Sequence, residues 1–339
     1  MFNRKIPKII FINISLIFFI FAFLEIGARL FSNAIFFGNS KNLFDTSNKN
    51  YIENCKSCEA KSFGQRIYTD EFGHRTSSLK KVDSQIFKEK IIIIGDSVAF
   101  GPGVIFEQTF QGLLSDNFIE YIFINRSVIG HGLDQYLQTA NLIRKDNNNI
   151  KKVYLIYCLN DISNISSSEI IKNSNPNKIE NNWVHKIKKN RFPLFINKQL
   201  RDKSIFYMLI KGILTKPQER YFFADFKNYL LEIDKLNINN LKEINEIFKQ
   251  KNIELIVIIS PYEYQVRNAE LNNNLLLPQI FLKEFLKENK IIYIDAYPEF
   301  LESGFKSSDL FLPYDPMHLS LKGHRILFEI IQKDLINSN

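Results

Sequence analysis

From Lys90 onward, short apolar runs alternate with longer amphipathic stretches. β-Branched and aromatic residues fill Ile91 to Ile94, Tyr121 to Ile124, Val153 to Tyr157, Ile253 to Ile259 and Ile291 to Ile294. Between them lie stretches of helical character over Phe106 to Asn117, Asp134 to Asp146, Phe222 to Lys251 and Pro278 to Lys290, with a last one over Leu319 to Ile336. The strand-like runs are continuously apolar rather than alternating, so both faces of each must be covered. That is the mark of a parallel sheet between helical layers, and the pattern predicts a three-layer α/β fold without internal repeats.

The N-terminus follows a different pattern. Arg4, Lys5 and Lys8 precede a charge-free run from Ile9 to Leu24, and apolar character continues past Glu25 to Phe31. This is about the 20 residues that a helix needs to cross a bilayer. Positive charge ahead of the span favours a cytoplasmic N-terminus and a body on the far side of the membrane. A cleaved signal peptide is the alternative, but the apolar region is long for one and no small-x-small cleavage site follows. Either reading exports the rest of the chain, to the periplasmic or extracellular side. Residues 32–89 are polar and poorly periodic and read as an extended connector with a turn at Gly73, where His74 and Arg75 are expected at the surface. The organisation expected is therefore an anchor over 1–31, a connector over 32–89 and a main domain over 90–339.

Composition adds little to this frame. With 339 residues, 45% of them hydrophobic, the chain can bury a large core. The net charge of +8 is spread along the length instead of forming a basic block. It implies at most an anionic surface such as a membrane or an acidic glycan, and no nucleic acid. Cys55 and Cys58 form a C-x-x-C that can close a small disulfide loop in an oxidising compartment or remain two thiols. Two further ligands would be needed for zinc, so no metal or cofactor is expected. Cys158 reads as a buried apolar residue.

The candidate chemistry sits where strands end. Gly95-Asp96-Ser97 closes the first run, Gly130 follows the second, Asn160-Asp161 the third, and Asp315-Pro316-Met317-His318 lies beyond the fifth. In an open parallel sheet these loops converge at the carboxyl edge, where such folds place their sites. A serine hydroxyl needs an imidazole to take its proton, and the imidazole needs a carboxylate to hold its tautomer. The three-residue spacing of Asp315 and His318 at the start of a helix would set both on one face. No Gly-x-Ser-x-Gly elbow is present, and neither phosphate-binding glycine motif follows the first strand, which argues against the α/β-hydrolase template and against nucleotide binding.

These four blocks resemble those of the SGNH, or GDSL-type, hydrolase family over roughly Lys90 to the C-terminus. The resemblance implies a flavodoxin-like five-stranded sheet, with Ser97 as nucleophile, His318 as general base and then acid, and Asp315 as the orienting acid. It further implies an oxyanion hole made by the backbone N–H groups of Ser97 and Gly130 and the side-chain amide of Asn160. Cys158 departs from the family pattern, which has glycine there. Residues 162–221 form an insertion carrying Trp183, a basic group at Lys186, Lys188, Lys189 and Arg191, and an apolar piece from Ile205 to Ile210. It reads either as a lid or as a surface excursion. The activity expected is hydrolysis of acyl esters, acetyl above all, on an extracytoplasmic glycan or a small molecule. An O-acyltransferase built on the same triad, or a non-catalytic glycan-binding or assembly protein, are the alternatives.

Overall fold

The computed structural model describes residues 5–31, 43–45, 53–78, 88–145, 149–162, 197, 199–201, 203–231 and 237–337. Trp183, His185 and the basic group from Lys186 to Arg191 lie outside them. Ten strands are assigned among the described residues: β1 (Phe44–Asp45), β2 (Glu53–Asn54), β3 (Glu59–Ser62), β4 (Gln65–Thr69), β5 (Arg75–Thr76), β6 (Glu89–Gly95), β7 (Tyr121–Asn125), β8 (Ile150–Tyr157), β9 (Glu254–Ile259) and β10 (Ile292–Asp295). The helices used below are α1 (Lys5–Phe31), α2 (Ser97–Phe100), α3 (Phe110–Asn117), α4 (Leu133–Lys145), α5 (Ile205–Thr215), α6 (Pro217–Leu231), α7 (Asn239–Lys249), α8 (Glu263–Asn268), α9 (Leu277–Glu288) and α10 (Leu321–Asn337).

Five strands form one parallel sheet in the order β10-β9-β8-β6-β7. The continuous apolar runs explain it: Ile91 to Ile94 on β6 and Val153 to Tyr157 on β8 are buried along their whole length, so these strands can only be central. Read from the β7 edge, the five strands run 2-1-3-4-5 in their own chain order, the flavodoxin-like arrangement. Right-handed crossovers then send the first connection to one face and the later ones to the other. The packing follows this rule, with α3 against α10 and α4 against α7.

The predicted strands coincide with β6 to β10, whereas the helices differ in two places. The single helix expected over Phe222 to Lys251 is two, α6 and α7. They bury against different partners, α6 on α8 and α9 and α7 on α4 and β9, which one straight helix cannot do. The last helix begins at Leu321, after His318, so Asp315 and His318 are not on a shared helical face.

Residues 53–78, read as part of an extended connector, carry strands. β3, β4 and β5 make an antiparallel sheet, and β2 pairs with β1. Gly73 is in a turn, as expected, with φ +85°. A disulfide joins Cys55 and Cys58 at the mouth of the β3–β4 hairpin, and Ala60 and Ile67 of that hairpin form a small core with Leu43 and Phe100 of α2. At the N-terminus, α1 contains one stretch, Phe11–Leu30, long and apolar enough to cross a membrane.

Candidate active site

The sequence Gly-Asp-Ser produces a tight strand-to-helix turn. Gly95 ends β6 at a point where a Cβ would stand 2.5 Å from the Ala99 Cβ and 2.9 Å from the Ile156 carbonyl oxygen, so only glycine fits. Asp96 then caps α2, its Oδ1 accepting from the Val98 N–H at 2.7 Å. Ser97 opens this single turn, and Gly101 closes it in the left-handed conformation with φ 73°.

The histidine arrives from the other end of the chain. Phe311 and Leu319 form a β-bridge, and the Leu312 N–H donates to the His318 carbonyl at 2.8 Å, closing the loop between them. Inside it Asp315 Oδ1 accepts from the backbone N–H groups of Met317 and His318 at 3.0 and 2.8 Å. This local turn replaces the helical spacing as the reason the two side chains meet. Asp315 Oδ2 is 2.8 Å from His318 Nδ1, and His318 Nε2 is 2.8 Å from Ser97 Oγ. With Nδ1–H donating to the carboxylate, Nε2 is the acceptor that faces the hydroxyl. Asp96 Oδ2, at 3.2 Å from Ser97 Oγ, is the more distant acceptor.

Electrostatics favour the same arrangement. Burial by itself lowers the His318 pKa, but the carboxylates of Asp315 and Asp96 and the hydrogen bond to Asp315 outweigh it and hold the imidazole above its ordinary range. The residues expected to stabilise an oxyanion are also at this edge. Gly130 turns with φ +86° and open space where a side chain would be. Asn160 Nδ2 donates to Asp96 Oδ2 at 3.0 Å, a bond that uses one of the two N–H groups of the amide. Cys158, in place of the expected glycine, is fully buried and leaves the turn intact: its N–H donates to Asp161 Oδ2 at 2.8 Å.

Three features were not foreseen. The Phe63 ring, at the β3–β4 turn, lies 5.0 Å from the His318 ring, so the N-terminal hairpin supplies a wall of the site. Only the Phe63-Gly64 pair in a polar stretch hinted at it. Behind Asn160, the Tyr262 hydroxyl donates to Asp225 Oδ2 at 2.7 Å and lies 3.4 Å from Asn160 Oδ1. Burial pushes Asp225 up to about 7, and nothing in the spacing of α6 announces it. The third is Arg75, expected at the surface but 2% exposed. Its guanidinium donates to the carbonyls of Phe100, Gly101 and Val104, at and just after the end of α2, and His324 joins it against Gly101, where a Cβ would stand 2.9 Å from the His324 ring and 3.0 Å from the guanidinium. Burial and the neighbouring Arg75 drive His324 down to about 3, so it is a neutral packing residue. Arg75→Met leaves three carbonyls without their buried donor and is expected to cost about 2–3 kcal/mol of stability, read by denaturant unfolding. A change below about 1 kcal/mol would show that the carbonyls do not depend on it.

A cavity of about 950 Å³ lies elsewhere, along the β7 side of the sheet, lined among others by His74, Gln111 and Arg126 and by none of Ser97, Asp315 and His318.

No family model matches this chain, and no curated protein does. Solved structures do align with it. A member of the lipolytic G-D-S-L family from Veillonella parvula is 12% identical, over 72% of this chain and 97% of its own, at a TM-score of 0.41. A GDSL-like lipase from Bacteroides thetaiotaomicron is 14% identical over 74% and 89%, at 0.39. A variant of an acetyl xylan esterase from Geobacillus stearothermophilus is 13% identical over 72% and 93%, at 0.41. At these scores and identities the likeness adds nothing to the fold, which stands on the strand order and registers of the chain itself.

Proposed function

We propose that this protein is a serine esterase of the SGNH type, cleaving acyl esters, acetyl above all, through an acyl-enzyme. The observation that carries the reading is the pair of 2.8 Å contacts from Ser97 Oγ to His318 Nε2 and from His318 Nδ1 to Asp315 Oδ2 at the carboxyl edge of the sheet. His318 Nε2 takes the hydroxyl proton as Ser97 Oγ attacks the ester carbonyl, and the imidazolium then passes that proton to the leaving alkoxide. Water repeats the sequence on the acyl-enzyme and regenerates the serine. The oxyanion formed at each step is assigned to the N–H groups of Ser97 and Gly130 and the Asn160 amide. Asn160→Ala is expected to lower kcat by about 10²–10³ with a smaller change in KM. An unchanged kcat would remove Asn160 from the site.

Hydrolysis is favoured over transfer to a sugar hydroxyl because an acyl donor would have to cross the membrane, and one candidate span among the described residues is too few to form a path. We place the catalytic domain outside the cytoplasm, tethered by α1, with a glycan or a small ester as substrate. The test is acetate release by the full chain from acetylated sugars. Release without any added acceptor, lost in Ser97→Ala, is expected. Acetate transfer that appears only when an acceptor alcohol is added would favour the transferase, and no turnover of any ester would favour a non-catalytic binding protein.

A further inference from the structure

The apolar helix α5, part of the insertion, is tied at one end to the candidate membrane span and at the other to the loop that carries Asp315. Glu25 lies within the span, where a lone carboxylate is unfavourable and calls for a partner. Its partners are on α5. Glu25 accepts from the Ser204 hydroxyl at 2.7 Å and from the backbone N–H groups of Ile205 and Phe206, both at 3.0 Å. Arg29 pairs with Glu25 at 2.7 Å and donates to the Lys203 carbonyl at 2.9 Å. The carboxylate thus satisfies the N–H groups that open α5 and would otherwise be left without acceptors in an apolar layer. One turn toward the bilayer, Phe21 and Phe206 meet edge to face at 5.8 Å.

The far side of α5 touches the catalytic loop. A Cβ at Gly212 would stand 2.4 Å from Cγ of Tyr314, so the tyrosine ring is seated on the helix backbone. Tyr314 is the residue before Asp315 and holds a left-handed φ of 58°. The remaining face of α5 is apolar and exposed, with Ile213 55% and Leu214 66% accessible beside Ile210. The helix packs against a span whose own side chains are exposed on most of their surface, such as Phe23 at 76% and Leu30 at 71%. Lys203 and Lys216, both exposed, bracket the helix, as suits an anionic headgroup layer.

We propose that α5 is a second membrane-contacting helix, seated in the lipid interface through Ile210, Ile213 and Leu214, and that it holds the Asp315–His318 loop at the bilayer surface. The occupant of the exposed face is lipid, and the esters within reach of Ser97 are those borne by molecules anchored in the same leaflet. The assignment of substrate rests on the esterase reading, whereas the seating of α5 does not.

The experiment uses the full chain in nanodiscs of phosphatidylcholine and phosphatidylglycerol. The cysteine introduced by Ile213→Cys is labelled with nitrobenzoxadiazole, and a second preparation is labelled through Lys242→Cys, at an exposed position on α7. Lipids carrying a doxyl group near the headgroup are expected to quench the first probe by about twofold, as for a side chain within the headgroup boundary, and to leave the second unchanged. Equal quenching at the two positions, with the emission of a water-exposed dye, would overturn the proposal. Blue-shifted emission without lipid quenching would also overturn it, since protein would then cover the face; energy transfer between labelled copies would identify that cover as a second chain. Loss of Ser97 reactivity would sink the esterase reading without altering this quenching result, so the two failures are separable.

Discussion

Ser97→Ala is expected to reduce kcat/KM for ester hydrolysis by about four orders of magnitude or more and to abolish labelling by a fluorophosphonate. The size follows from the proposed role: with Oγ gone no acyl-enzyme would form, and what remains would be the contribution of binding and oxyanion stabilisation alone. Folding should be unaffected. Ser97 is small, its hydroxyl makes no contact that the caps of α2 require, and Asp96 and Gly101 continue to close the turn. Thermal unfolding of the variant beside the wild type separates loss of chemistry from loss of fold. A variant that keeps wild-type turnover would overturn the assignment of the nucleophile.

Asp315→Asn is expected to lower kcat by about 10⁴ and to move the pH profile. The carboxamide can still accept the N–H groups of Met317 and His318, which keeps the loop. Its own N–H groups, however, would face His318 Nδ1 and favour the tautomer with hydrogen on Nε2, the nitrogen that must accept the serine proton. The pH effect has a definite sign. In the wild type, burial lowers the His318 pKa, but Asp315 and Asp96 raise it further, to above the reference of 6.5. In the proposed role of general base the imidazole works when neutral, so kcat/KM should rise with pH through a midpoint above 6.5. Without the charge at 315 the effect of burial is no longer outweighed, and the acidic limb should shift to lower pH. A residual activity with an unshifted limb would mean that Asp315 does not set the imidazole's protonation.

The sheet was readable because it depends on what a linear pattern expresses. Five continuous apolar runs at the spacing of βα units leave a buried parallel sheet as the solution, and Ile91 to Ile94 and Val153 to Tyr157 stand in its centre. The meeting of Ser97, Asp315 and His318 was legible for a related reason, since loops after parallel strands meet at one edge whatever their separation in the chain. The local geometry was less so. Asp315 and His318 meet through an Asx-type turn closed by the Phe311–Leu319 bridge, although the Asp-Pro-Met-His spacing suggested a helix. Both conformations bring residues i and i+3 together, so the contact was foreseeable while its cause was not.

Arg75 and Phe63 mark the boundary. A polar, aperiodic stretch signals surface, yet its short strands bring Phe63 onto His318 and bury Arg75 against three carbonyls at the end of α2. The splitting of the long predicted helix into α6 and α7 has the same origin, because each half packs on a different neighbour. By itself the sequence determined the layered sheet, the apolar N-terminal span and the loops that hold Ser97, Asp315 and His318, since all of these follow from periodicity and strand order. Only the tertiary structure decided which side chains wall and brace the site: Phe63, Arg75, Tyr262 with Asp225, and α5 clamped between Glu25 and Tyr314. Those contacts join residues tens to hundreds of positions apart, and whether such a polar or aromatic side chain faces water or a partner is set by packing rather than by its neighbours in the chain.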